Sequence, residues 1–575
     1  MSYIDAVLDK ERNLINVIER VNGKRTYVQY PTEYELYWPD PKGKYTSIFG
    51  DRLAQFKTKN NKDFQKEIHV MGNRKLFESD INPIFRCLYN NYHGKPSPDL
   101  HIGFFDIEVD FDSSRGFSSP DDAFSPITAI SIYLNWVETN FTLVIKPKTL
   151  TTTEAEKICS KFDNTVLCSN EKELLDMFLD LIVDTDILTG WNSTGFDIPY
   201  VHNRIVQVLG KSETTRLCLL DKKPKKREFL KFGKEQVTYD LVGRAHIDYL
   251  DLYKKHITQE MHSYSLGSVG EFEINEVKTP YEGTLDSLYN NDFEKFIEYN
   301  RQDVMIIVKI DEKRKFINLA NELTHANTVL FSTVMGAVAL IDQSIVNFAW
   351  NKGLKVPSRK NNESEVFIID DEEVESRIAG AYVANPVSGL HDWIGAVDIN
   401  SLYPTTIRSL NMSPETLVGQ IRQEYTMPLI IARVSEKIDS ETASTLLFGP
   451  DYYQKLLFSA FTSKKIKFSE AWNNVFGVFE YQWIQEKKTD VILHIDFEDG
   501  NTMELTPKEA YDLIYGSKEW IMSGNGTIFS LNKEGIIPGI LSDWYSNRKK
   551  LQAEEKAYND LLYGIELDDE LLNLL

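Results

Sequence analysis

The chain's 575 residues are 42% hydrophobic, 12% aromatic and 26% charged, which supplies apolar surface for packed cores and argues against bulk disorder. Acids outnumber bases 86 to 64, a net charge of -22, so total charge disfavours simple electrostatic capture of nucleic acid while leaving the charge of any one groove open. No apolar run approaches a membrane span, and the opening Met1-Ser2-Tyr3-Ile4-Asp5 lacks a basic segment followed by an apolar one, so a cytoplasmic protein without a membrane partner is expected.

At about 100 to 200 residues per domain, several domains are expected. Residues 1–100 mix alternating segments such as Thr26-Tyr27-Val28-Gln29-Tyr30 with turn clusters such as Pro39-Asp40-Pro41-Lys42-Gly43, the pattern of a small mixed domain. From 101 to 320, apolar strands such as Ile130-Ser131-Ile132-Tyr133-Leu134 alternate with helical stretches such as Glu171 to Val183, which predicts an α/β layer domain. A basic loop, Lys222-Lys223-Pro224-Lys225-Lys226-Arg227, interrupts it. Helical spacing returns over 321–350, the polar run Ser358 to Glu365 reads as a surface connection, and a second α/β unit follows. Ile536 to Leu541 then leads into Trp544 to Ala557, a long exposed helix by composition. Cys87, Cys159, Cys168 and Cys218 form no C-x-x-C pair and read as reduced, buried thiols.

Carboxylates recur at three places. Phe104-Phe105-Asp106-Ile107-Glu108-Val109 has the flanks of a strand, so Asp106 and Glu108, two apart, share a face. They repel each other unless a cation lies between them; the other reading is a pair of solvated acids. Asp197 follows the strand-like Ile187 to Asn192 and precedes Pro199, which suits a first helical turn, so this acid is also a candidate helix cap. Tyr299 and Asp303 are four apart on one helical face, a spacing that chance also produces.

Taken in order, Asp-x-Glu, Asn-x3-Phe-Asp and Tyr-x3-Asp resemble the three motifs of the DEDDy 3′-5′ exonucleases. That resemblance implies metal ligation by Asp106, Glu108, Asp197 and Asp303, with Tyr299 orienting a water. The expected cofactors are two magnesium or manganese ions per active site, about 3.5 to 4 Å apart.

The run Ala396-Val397-Asp398-Ile399-Asn400-Ser401-Leu402-Tyr403-Pro404 reads as a buried strand ending at an acid, then a turn into a helix that Pro404 helps to start. It resembles motif A of family B DNA polymerases, D-x-x-S-L-Y-P-S, with Thr405 in the last place. Asn411-Met412-Ser413-Pro414-Glu415-Thr416, His246 to Lys255 and Lys313 to Leu319 are similar to the tailed-phage, T4-like replicative branch of that family. The resemblance implies that Asp398 and the Ile399 carbonyl hold catalytic metals and that Ser401, Leu402 and Tyr403 meet the incoming nucleotide, the Tyr403 ring crowding a ribose 2′-hydroxyl. Asn547-Arg548-Lys549-Lys550 resembles the opening fingers helix, in which Arg548 would grip the triphosphate, with Gln552 where a lysine is common. A solvated helix face is the other reading of those basic residues. Ala379-Gly380-Ala381-Tyr382 falls where the family has a glycine-containing loop, with Ile378 in place of a common tyrosine. The 222–227 loop resembles the region of a hairpin that parts primer from template.

The family's motif B, K-x3-N-S-x-Y-G, and motif C, Y-G-D-T-D-S, are not found in the sequence. Asp184-Thr185-Asp186 mimics the core of motif C but precedes the second exonuclease motif, and it is rejected as a polymerase site.

The expected fold class is multidomain α/β and α+β, a ribonuclease H-like exonuclease domain plus a partial family B palm and fingers. The expected domains are 1–100 N-terminal, 101–320 exonuclease, 321–370 a return segment of the N-terminal domain, 371–535 palm and 536–575 the start of the fingers. The expected partners are primer-template DNA, deoxynucleoside triphosphates and a second polypeptide carrying motifs B and C and the thumb, through which a sliding clamp would attach; a truncated gene product or a partial sequence explains the missing motifs equally. The expected function is a DNA-directed DNA polymerase subunit with an editing exonuclease. A standalone exonuclease whose palm only binds DNA is the alternative. If the protein is phage-encoded, its place is the host cytoplasm.

Overall fold

The structure, a computed structural model, describes residues 2–111, 114–231, 234–359, 366–369, 372–375, 388–399, 401–423, 484, 486–487, 492–497, 501–524 and 526–572. The 378–382 loop, Asn400 and a basic run at 464–467 lie outside them. The chain divides into two compact units, Met1–Pro39 with Ala54–Asn347, and Asp40–Leu53 with Phe348–Leu575.

The first unit opens with an antiparallel sheet of β1 (Ser2–Asp9), β2 (Leu14–Val21) and β3 (Lys24–Pro31). After β4 (Tyr34–Pro39) the chain passes through β5 (Tyr45–Ser47) of the second unit and returns along β6 (Arg52–Thr58) to helices α1 (Asn61–Met71) and α2 (Pro83–Tyr92). Each of these helices is started by an asparagine, Asn60 or Asn82, whose side chain accepts an otherwise orphaned backbone N–H.

A six-stranded mixed sheet follows, built from β7 (Ile102–Val109), β8 (Ile127–Leu134), β9 (Thr139–Ile145), β10 (Thr165–Cys168) and β11 (Ile187–Gly190). A hairpin of β12 (Lys225–Lys231) and β13 (Lys234–Asp240) forms where the sequence suggested a basic loop, and β14 (Ala245–Asp248) completes the sheet. The strand order is β10-β9-β8-β7-β11-β14. β7, β8 and β9 are an antiparallel meander, to which β10, β11 and β14 add in parallel.

The helices of this unit are α3 (Thr152–Cys159), α4 (Glu171–Leu181), α5 (Asp197–Val208), α6 (Tyr249–His256), α7 (Leu266–Ile274), α8 (Leu285–Asn291), α9 (Phe293–Arg314) and α10 (Phe316–Ala326). β7 is apolar on both faces because both are covered. Ile102 and Phe104 pack with Val304 and Ile307 of α9, whereas Phe105 and Ile107 pack with Phe178 of α4 and Val201 of α5. Each such buried side chain contributes about 1.5–3 kcal/mol. The two-residue period of the strand places Asp106 and Glu108 on the α9 face.

Polar ties fix the edges. Arg20 of β2 grips Asp186 through two hydrogen bonds of 2.6 and 2.7 Å, and Arg25 adds a third at 3.0 Å. The Asp184-Thr185-Asp186 run is therefore a structural anchor, in keeping with its rejection as a polymerase motif. Beyond α10 the chain returns to β1, where the Tyr3 hydroxyl donates to the Val329 carbonyl at 2.6 Å and His325 bonds the Tyr3 carbonyl at 2.8 Å. All four cysteines are free and buried.

In the second unit β5 pairs with β6 and, in parallel, with the short strand Leu354–Lys355. An antiparallel five-stranded sheet runs in the order Thr502–Leu505, Leu493–Phe497, Leu417–Gln423, Thr527–Ser530, Trp520–Met522. Ile421, Leu493, Ile495, Leu505 and Ile528 form its core. Asn411 donates to the carbonyls of Ser530 and Lys533 at 2.7 and 2.8 Å, and Glu415 accepts from Ile536 N at 2.5 Å, where the long helix Ile536–Leu572 begins.

One expectation fails here. Residues 394–399 form no strand and their side chains are exposed, Val397 at 95% and Ile399 at 60%. No described strand pairs with them, so among the described residues the apolar run has neither a ladder for its backbone nor a layer for its side chains. The turn and helix that follow do form, over Leu402–Ser409 with Pro404 in its first turn.

Candidate active site

The described acids meet in one place. Asp106 and Glu108 from β7 and Asp303 from α9 each offer one oxygen, all within 4.8 Å of one another, and this is the one such cluster among the described residues. The meeting follows from the two periodicities: β7 turns both acids toward α9, and α9 presents a buried stripe of Phe296, Tyr299, Asn300, Asp303 and Ile307 at intervals of three and four. Asp197 arrives as the first residue of α5 on the loop after β11, where its Oδ1 accepts from Ile107 N at 3.3 Å. It stands outside the three-acid cluster but close enough for its charge to act on Asp106.

Two residues that sequence reasoning missed complete the site. Asn300 donates to Asp106 Oδ2 at 2.9 Å. Lys278 donates to Asp303 Oδ2 at 2.5 Å and to the Tyr299 hydroxyl at 3.1 Å. Gln302 holds the Lys278 loop in place, donating to the Val277 carbonyl at 2.7 Å and accepting from Thr279. Asn300 had a signal, a polar residue on the core face of an apolar helix. Lys278 had none, because nothing in Lys278-Thr279-Pro280 marks a distance to α9.

The electrostatics are those of a cation site. Burial first, then repulsion from Glu108, Asp197 and Asp303, pushes the Asp106 carboxyl well above its ordinary range. Burial and Asp303 push Glu108 up to about 8, and burial pushes Asp197 up to about 7 against backbone N–H bonds that favour its charge. Burial likewise raises Asp303, with the Lys278 ammonium pulling the other way. Asp303 Oδ1 is buried without a hydrogen-bond partner. Hard, dry carboxylate oxygens and one orphaned acceptor fit a magnesium or manganese ion, which prefers such ligands.

Asp398, Ile399, Leu402, Tyr403 and Arg548 belong to the second unit and are all exposed, Leu402 at 48% and Tyr403 at 67%. Ser401 begins the helix at φ 56°, a left-handed turn. Asp398 belongs to no cluster of three or more metal-ligating side chains among the described residues. Next to Arg548, Lys550 pairs with Glu554 one helical turn on, the geometry of a solvated face. In the β12–β13 hairpin, Lys226 pairs with Glu228 and Arg227 with Asp240.

Residues 60–269 match the family model described as DNA polymerase family B, exonuclease domain, and residues 304–446 match DNA polymerase family B. The chain thus carries an exonuclease domain followed by polymerase sequence. It belongs to DNA polymerase family B. It is 29% identical over 420 residues to the DNA-directed DNA polymerase of Escherichia phage RB69, covering 69% of this chain and 45% of that protein. It is 32% identical over 255 residues to the DNA-directed DNA polymerase of Enterobacteria phage T4, covering 44% and 27%, and 26% identical over 347 residues to DNA polymerase 1 of Sulfurisphaera ohwakuensis, covering 56% and 35%. The matched region spans less than half the length of each of these relatives. Among the described residues no helix is long and apolar enough to cross a membrane.

Proposed function

We propose that the chain is a 3′-5′ exonuclease acting on DNA by two-ion phosphodiester hydrolysis, as the editing part of a replicative family B DNA polymerase. The observation that carries this reading is the convergence of Asp106, Glu108 and Asp303 within 4.8 Å, with an orphaned buried oxygen on Asp303. Asp106, Glu108, Asp197 and Asp303 would hold magnesium or manganese. The ions, when bound, supply charge stabilisation for the attacking and leaving oxygens.

The chain's own groups do the rest. Lys278 donates to the Tyr299 oxygen, and the Tyr299 hydroxyl lies within hydrogen-bonding reach of Asp303, where it would orient a water beside that acid. Burial and Asp303 raise the phenol above its ordinary range, so it stays protonated at neutral pH and positions rather than deprotonates. Asn300 fixes one oxygen of Asp106 and so sets the direction of the other.

For the second unit, we assign Asp398 and the Ile399 carbonyl to the metals of nucleotide addition and Ser401, Leu402, Tyr403 and Arg548 to the incoming deoxynucleoside triphosphate. Addition needs a second fixed carboxylate, which motif C provides in the family. Residues 1–100 with 321–370 would then be the N-terminal domain, 371–535 palm and 536–575 fingers. An exonuclease whose palm only binds DNA is the other reading.

The test uses the purified chain with a labelled primer-template and magnesium. Wild type should shorten the primer and release nucleoside monophosphates. The Asp106→Ala/Glu108→Ala pair should abolish this while still melting cooperatively, and undiminished digestion by that pair would refute the site. With all four deoxynucleoside triphosphates present, extension by the pair alone would show that another carboxylate stands in for motif C.

A further inference from the structure

The Asp197 carboxylate takes a bond from Ile107 N at 3.3 Å, but the backbone that carries it is held differently from that of the other three acids. Asp106 and Glu108 are fixed by the β7 ladder and Asp303 by α9, whereas Asp197 comes at the end of a six-residue loop, Trp191 to Phe196. That loop is irregular. Asn192 has φ 62°, in the left-handed region, and Gly195 N bonds back to the Asn192 carbonyl at 3.0 Å.

The neighbouring strand holds it. β14 pairs with β11 in the register Leu188↔His246 and Gly190↔Asp248, so His246 and Asp248, two apart, lie on one face beside the loop. Asp248 is 5% exposed. Its Oδ1 accepts from Asn192 N at 2.9 Å and its Oδ2 from Thr194 N at 3.0 Å. Its Oδ1 also accepts from Leu250 N at 3.0 Å as the cap of α6. Capping needs one such bond; the other two reach across to another strand's loop. His246 Nε2 bonds Ser193 Oγ at 2.9 Å, and Ser193 in turn donates to the Gly190 carbonyl at 3.2 Å. Three consecutive loop residues, 192 to 194, are therefore fixed from β14.

We propose that Asp248, supported by His246, is a positioning residue of the exonuclease site, an inference that rests on the exonuclease reading: it fixes the 191–196 loop and thereby the carboxylate of Asp197. A charged acceptor suits this task, because hydrogen bonds to an ionised group are shorter and stronger than neutral ones and two backbone donors converge on one carboxylate. Asparagine at 248 would keep one acceptor and turn a donor toward the other N–H, freeing half of the clamp.

Manganese binding to the full chain, titrated by calorimetry without DNA, tests this in wild type, Asp197→Asn, Asp248→Asn and the double variant, with melting temperature as the fold control. Asp248→Asn should weaken manganese binding about tenfold, the scale on which groups that orient a metal ligand act. The double variant should be no weaker than Asp197→Asn, since both changes act through the same carboxylate. In digestion, kcat should fall with KM for the oligonucleotide unchanged, and higher manganese should restore the rate. A folded Asp248→Asn with wild-type manganese affinity, or losses that simply add, would overturn the proposal. Should Asp248→Asn fail to melt cooperatively, Ser193→Ala decides by the same titration: about threefold weaker binding supports the clamp and none refutes it. Manganese binding in this pattern without any digestion by wild type would instead remove the exonuclease reading and leave the clamp standing.

Discussion

Two groups of buried acids in the first unit are treated in opposite ways. Asp186 is matched by Arg20 and Arg25 and also accepts from His101 N at 3.0 Å, which is how a fold neutralises an acid it keeps for stability. Asp106, Glu108 and Asp303 share the single ammonium of Lys278 among the described cations and leave one oxygen orphaned. That asymmetry separates an anchor from a site without reference to any motif. It predicts that Arg20→Met costs about 3 kcal/mol in urea unfolding, since Asp186 then keeps Arg25 as its one cation and His101 N as a neutral donor, while digestion at a temperature where the variant is folded is unchanged. His246 adds a pH dependence. Burial and then Arg227 push its imidazole from 6.5 down to about 3 in the folded state. A depressed folded value favours the neutral ring, so its stabilisation is complete above pH 6.5 and is lost as pH falls from 6.5 toward 3. His246→Gln should therefore lose less stability than wild type between pH 7 and pH 4, and equal losses by urea unfolding would mean that the folded ring is not held neutral.

At the scale of elements, the approach of β11 to β7 decides where Asp197 can be. A Cβ on Gly190 would lie 2.6 Å from the Phe105 carbonyl oxygen, a backbone atom that cannot swing aside. Gly190→Ala should cost about 1–3 kcal/mol by overpacking. It should also slow digestion, since the strand end that moves leads directly into the Asp197 loop; a folded variant with wild-type rate would show that the loop absorbs the shift. What the sequence made legible here was periodicity. The two-residue alternation of Phe104 to Val109 put Asp106 and Glu108 on one face, and the four-residue step put Tyr299 with Asp303, and both hold in the structure. Contacts that periodicity does not encode stayed hidden: Lys278 reaches α9 from a loop, and Asp248 reaches the 192–194 loop from a neighbouring strand. The Val397-Asp398-Ile399 run shows the reverse failure, a strand-like pattern that forms no strand and pairs with none of the described strands.

For the molecule as a whole, a net charge of -22 means that DNA, itself polyanionic, gains nothing from the protein's long-range field. Any affinity must come from local basic surface, and its dependence on salt then counts the phosphates contacted. The hairpin is the candidate within the first unit. Lys226 and Arg227 are each matched by an acid of the same hairpin, while Lys222, Lys223 and Lys225 form no salt bridge among the described residues. If Lys222 and Lys223 each neutralise one phosphate of a single strand, each contributes about 0.7 to the slope of log affinity against log salt. The double variant Lys222→Ala/Lys223→Ala should then lower that slope by about 1.4, measured by fluorescence anisotropy with a single-stranded oligonucleotide in chelator. The four acids of the proposed exonuclease site would, in chelator, repel the strand, so Asp106→Asn should raise affinity under the same conditions without changing the lysine contribution. A slope that stays the same in the lysine variant would take the hairpin off the path of the DNA.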